Sequence, residues 1–98
     1  MPDFINLHDP FWPVIDALRF ERCFQNDKHG TVQENPHTPG GWLLLIEAEL
    51  IEAKVALIKG GRGRDSWRQE VLQIAATCIA CLEQHGVEEP PPNGRREI

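Results

Sequence analysis

Between Gly41 and Lys59 the chain reads GWLLLIEAELIEAKVALIK, and its apolar positions fall on two neighbouring stripes at helical spacing. Leu43, Ile46, Leu50, Ala53 and Leu57 form one stripe; Leu44, Ala48, Ile51, Val55 and Ile58 form the other. A helix apolar on both flanks is expected to be packed on both sides. Thr38 followed by Pro39 is an N-cap and N1 pair that starts this helix, and Gly60 with Gly61 stops it. Upstream, Val14, Ile15, Ala17, Leu18, Cys23 and Phe24 recur at near-helical spacing, which predicts a first helix from Asp9 and Pro10 to about Asp27, closed by Gly30. Met1 to Pro13 reads as an irregular arm with Phe4, Phe11 and Trp12. The proline-bearing stretch from Gly30 to Pro39 reads as a connecting loop. Downstream, Ser66 and Gln69 fit a capping box, followed by an apolar row of Val71, Ala75, Cys78 and Leu82 as far as Gly86. The other side of this third helix is polar: Glu70, Gln73, Thr77 and Gln84.

The fold class is therefore all-α, an antiparallel helical bundle with a single domain over residues 1–86 and a disordered proline-rich tail over 87–98. Two long helices and a moderate one present more apolar surface than they can cover among themselves. A homodimer or homotetramer is the expected remedy. Of the 98 residues, 41% are hydrophobic and 26% charged, which is too apolar for wholesale disorder. A net charge of −5 argues against coating polymeric nucleic acid, which needs a basic face to displace counterions. Acids interrupt every apolar run before it could cross a bilayer, and no secretory signal is visible, so a cytoplasmic protein with no membrane partner is expected. Cys78 and Cys81 form a CxxC without a second pair at zinc-site spacing, and read as small core side chains.

The chemistry lies in acids placed where a core is expected. Glu49 and Glu52 are one turn apart on the central helix, between its apolar stripes. Folding the second helix back on the third through the turn at Gly60 to Arg64 brings Glu70 and Gln73 to a similar height. Three carboxylates and an amide oxygen at one level repel unless protonated or shared with a cation. Hard oxygen donors suit Mg²⁺ or Mn²⁺, ions that keep waters and also bind phosphate oxygens. Lys59, Arg62, Arg64 and Arg68 follow, opposed only by Asp65, among glycines that let backbone N–H groups approach an anion. Metal on one side and cations on the other is what a polyphosphate needs.

Glu49-Leu-Ile-Glu52, a gap of 17 residues, then Glu70-Val-Leu-Gln73 and its Ala-rich continuation IAATCIACLE resembles the MazG-like all-alpha nucleoside triphosphate pyrophosphohydrolases. The resemblance covers roughly Thr38 to Gly86. It implies an α-helical dimer or tetramer that uses Mg²⁺ or Mn²⁺ to convert an NTP or dNTP into the monophosphate and pyrophosphate. It further implies Glu49, Glu52 and Glu70 as catalytic metal ligands, with Gln73 a weaker ligand or an orienter of water. The attack on the α-phosphorus would come from a water activated by the ion, one of the glutamates being the base. Lys59, Arg62 and Arg64 would neutralise phosphate charge. Gln73 departs from the family, which usually has Asp there, and so removes a charge from the cage. The short chain also resembles phage-encoded members, some of which trim dGTP; for such a protein the location would be the host cytoplasm.

Trp42 and Trp67 stand near two helix starts, where they anchor packing or stack on a base; Trp42 is the one assigned to substrate binding. Asn26, in the cluster Asn26 to His29 at the end of the first helix, is placed with it as a reader of base edges across a dimer interface, the alternative for the cluster being simple C-terminal capping. The alternative function is a non-catalytic helical module that binds nucleotides or a partner without cutting, and Gln73 feeds that reading.

Overall fold

The computed structural model describes residues 10–89, which form three α-helices and a single 3₁₀ turn, with no β-strand among the described residues. The first helix, α1, spans Phe11–His29; α2 spans Pro39–Lys59; the 3₁₀ turn is Gly63–Asp65; α3 spans Trp67–His85. The all-α expectation is met. The start expected at Asp9 and Pro10 is met, with Pro10 as N-cap at φ −61° and ψ −14°, so Phe11 and Trp12, read as part of an irregular arm, lie instead in the first turn of α1. Phe4 and the rest of that arm, and the tail from residue 90 onward, lie outside the described residues.

The helix ends follow the expected chemistry. Thr38, in extended geometry, accepts the Gly41 N–H on its hydroxyl at 3.0 Å, and Pro39 fills N1. At the other end Gly60 adopts φ +69° and donates to Ala56 O, while Gly61 N–H also reaches Ala56 O at 3.3 Å. A Cβ on Gly61 would stand 2.2 Å from Asp65 O, so only glycine allows the 3₁₀ turn to close against α2. Ser66 caps α3, its hydroxyl accepting the Gln69 N–H at 3.1 Å.

α2 was the element expected at the centre, but α3 occupies that place. It packs along α2 through the short turn and crosses α1, which rests on α3 rather than on α2. Small side chains explain this, since Ala76 and Ala80 are buried on α3 and let both neighbours approach closely. The main cluster joins Val32, Trp42 and Ala80, with Cys81 packed against it. Gln84 fastens the connecting loop to α3: its Oε1 accepts from His37 N–H at 3.0 Å and from Trp42 Nε1 at 2.9 Å, and its Nε2 donates to His37 O at 2.8 Å.

Within one chain neither apolar stripe of α2 is covered: Leu43, Leu50 and Leu57 of the first are exposed. Ala53 is buried, while every member of the second apolar stripe is exposed, reaching 68% at Leu44 and 85% at Ile58. No large side chain among the described residues is wholly buried. None of the helices is long and apolar enough to cross a membrane.

Candidate functional site

α2 turns Glu49 inward, toward α3. The Thr77 hydroxyl donates to Glu49 Oε2 at 3.0 Å, and Gln25 Nε2 from α1 donates to Thr77 Oγ1 at 3.3 Å. Arg22 Nη1 donates to Gln25 Oε1 at 3.0 Å, and Arg22 also pairs with Glu83 on α3. Because a guanidinium can only donate, this relay has one polarity: the arginine orients the glutamine amide, which leaves the single hydroxyl proton of Thr77 for the carboxylate. All three helices thus fix one oxygen of Glu49.

The other oxygen of Glu49, Oε1, is buried and has no hydrogen-bond partner; the same holds for Oε2 of Glu70 on the facing helix. Burial pushes the Glu49 carboxyl above its ordinary range, with Glu52, Glu70 and Glu21 adding to the rise and the Thr77 hydrogen bond opposing it. Burial likewise raises Glu70, helped by Glu52 and Asp65. The charges of Glu52 and Glu70 are thus felt at Glu49, and that of Glu52 at Glu70, although Glu52 itself is exposed. Gln73 is half-buried, one turn further along α3 than Glu70. Among the described residues no three His, Cys, Asp or Glu side chains stand close enough together to hold a metal ion as they are.

A fourth acid was not anticipated. Glu21 on α1 is 4% exposed, accepts from Gln69 Nε2 at 3.0 Å, and its charge is felt at Glu49. Arg22, Gln25 and Thr77 also escaped assignment to the site. The available signal was the spacing of Arg22, Gln25 and Asn26 at i, i+3 and i+4, a polar ridge on a helix otherwise read only for its apolar positions.

A cavity of about 300 Å³ opens between the C-terminal half of α1, the connecting loop and the N-terminal half of α2, with Thr77 and Ala80 of α3 behind it. Asn26, Trp42 and Glu49 all line it, which brings together three of the residues expected at the site. Trp42 is buried, its ring edge-on to His37 with centroids 4.7 Å apart. Asn26 accepts from Arg22 Nη2 at 3.1 Å.

The cations do not join this cavity. Lys59, Arg62 and Arg64 are exposed and contribute nothing to its lining. Arg64 lies over the Phe24 ring at 4.8 Å and Arg68 over Trp67 at 4.8 Å, so two of the charges of this segment rest on aromatic faces. Cys78 and Cys81 are half-buried free thiols, and burial pushes the Cys78 thiol up, away from reactivity. Set against known proteins, the chain matches no family model, no curated protein and no solved structure.

Proposed function

We propose that this chain is a metal-dependent nucleoside triphosphate pyrophosphohydrolase of the MazG-like type, releasing a nucleoside monophosphate and pyrophosphate. One observation carries the reading: two carboxylate oxygens, Glu49 Oε1 and Glu70 Oε2, are buried without partners on facing helices, and Glu49 also lines a cavity of small-molecule size. A buried carboxylate oxygen without a donor is unfavourable by about 1–3 kcal/mol. Two such oxygens in one seam fit a hard cation, with Glu52 and the amide oxygen of Gln73 as further donors. A bound Mg²⁺ or Mn²⁺ would offset phosphate charge and acidify a water.

The remaining work falls to the chain. Thr77 holds one oxygen of Glu49 and leaves the other free to bind. A carboxyl raised above its ordinary range is a stronger proton acceptor than a free one, which suits Glu49 and Glu70 for the base role. Water adds to the α-phosphorus, the bond to the bridging oxygen breaks, and pyrophosphate departs with the electron pair. Lys59, Arg62 and Arg64 reach that polyphosphate in a homodimer or homotetramer whose interface includes the exposed second stripe of α2. Assembly predicts a solution mass of at least twice the 11.1 kDa chain by light scattering; a monomer at micromolar concentration rules it out.

The test is pyrophosphate release from a panel of NTPs and dNTPs, dGTP included, with Mn²⁺ and with Mg²⁺. Release that chelator abolishes is expected, together with a fall of about 10²-fold or more in Glu49→Gln at unchanged helicity. No release from any substrate, or wild-type rates in Glu49→Gln, overturns the proposal. The second reading, a nucleotide-binding module that does not cut, draws on Gln73 and on acids that are not gathered into a cage. It requires nucleotide binding without release.

A further inference from the structure

α1 is joined to the seam by polar contacts more than by core. None of its apolar side chains is buried, and its one buried residue is Glu21, bonded to Gln69 of α3. Two further links cross to α3, from Arg22 and from Gln25. Arg22, whose side chain is 12% exposed, donates from Nε to Glu83 Oε1 at 2.9 Å, from Nη1 to Gln25 Oε1 at 3.0 Å and from Nη2 to Asn26 Oδ1 at 3.1 Å. A planar guanidinium serves these acceptors together, and a lysine ammonium does not reproduce the fork. Since nothing on the guanidinium accepts, the Gln25 amide faces it with Oε1, which turns Nε2 to Thr77.

A threonine inside a helix has two uses for its hydroxyl proton: a carbonyl three or four residues back on its own helix, or a partner outside it. At Thr77 the Gln25 N–H takes one lone pair of Oγ1, and the proton leaves α3 for Glu49 Oε2 at 3.0 Å. The carboxylate is thereby held by one oxygen, and Oε1 is the oxygen without a partner. We propose that Arg22 and Gln25 are positioning residues for Glu49: acting through Thr77, they hold Oε2 and present Oε1 as the free ligating oxygen. That the ligand is a divalent cation rests on the hydrolase reading; the setting of Thr77 by α1 does not.

The variant that tests this is Gln25→Glu. It keeps the shape of the side chain and its bond to Arg22, so α1 stays docked, but a carboxylate only accepts, and it draws the Thr77 proton away from Glu49. Titration calorimetry with Mn²⁺ is expected to show an affinity about 10–100-fold lower at unchanged melting temperature, the range for loss of an outer partner of a metal ligand. The added negative charge by itself attracts a cation, so a loss reports orientation. Arg22→Lys should fall between that variant and wild type. Wild-type or tighter Mn²⁺ binding in Gln25→Glu overturns the proposal. A second readout needs no metal: the Thr77 χ1 rotamer, from its three-bond couplings. A single rotamer is expected in wild type, and averaging in Gln25→Ala, or in Gln25→Met should the alanine variant not fold. A rotamer that neither change moves overturns the proposal. If wild-type protein binds no Mn²⁺, the hydrolase reading loses its cation, and the rotamer alone decides whether α1 positions Glu49.

Discussion

The acid seam and the basic turn hold opposite charges and are treated by the fold in opposite ways. In the seam, Glu49 and Glu70 are drawn between helices, raised above their ordinary range, and left with two oxygens unpartnered. In the turn, Lys59, Arg62 and Arg64 remain exposed, and Arg64 lies on Phe24. A cation on an aromatic face in water gains only about 0.5–1 kcal/mol, so it leaves readily for a phosphate. A desolvated acid has no such freedom. The seam is therefore held in place by the fold, and the turn is left free to adjust. The sequence reading expected both to serve a single polyphosphate, and within one chain they do not meet in the cavity.

The largest effect that separates the two regions should come from the relay behind Glu49. Thr77 is 6% exposed and touches Glu49 directly, so Thr77→Val removes the hydroxyl and leaves a second oxygen of the acid without a partner. A loss of about 10–100-fold in Mn²⁺ affinity is expected, the size seen when an outer partner of a metal ligand is removed, with Thr77→Ser restoring most of it. The control is Arg64→Ala, expected to change that affinity by roughly twofold or less, since exposed charges are strongly screened. Equal losses at the two positions by titration calorimetry would erase the distinction between fixed and adjustable regions.

That asymmetry was only partly legible in the sequence. The helices, their caps at Thr38 and Ser66, and the stops at Gly30, Gly60 and Gly86 follow from local rules that depend on neighbours a turn away, and those were readable. The polar stripe of α3 was visible too, and two of its members, Thr77 and Gln84, make the bonds that hold Glu49 and the connecting loop. What could not be read was which residue meets which across the helix crossing. Arg22, Gln25 and Glu21 act through partners some 50 to 60 positions away, and no local period encodes the angle at which α1 crosses α3. The burial of small Ala76 and Ala80, which puts α3 in the middle, was likewise hidden, because an apolar count favours the larger side chains of α2.

A smaller effect tests the seam without any substrate. A carboxyl whose folded pKa lies above its unfolded value binds its proton more tightly in the native state, so the slope of stability with pH is negative between those two values. For Glu49 and Glu70 that window opens at the ordinary 4.5 and extends upward to their raised values. Metal-free protein should be most stable near the lower edge and lose stability as pH climbs through the window. Glu34, lowered by its bonds to Thr31, acts with the opposite sign, and below 4.5, so it cannot mimic this trend. Glu49→Gln removes one titrating group and keeps an amide that can still accept from Thr77. Its urea unfolding curve should be flatter with pH and, above the window, more stable than wild type by on the order of 1 kcal/mol, a modest value because the seam is partly open to solvent. Added Mn²⁺ should flatten the wild-type profile in the same sense, by holding both carboxylates ionised in the native state. A wild-type stability that rises with pH between 5 and 8, unchanged by the substitution, would mean that these acids are no more strained than the arginines of the turn.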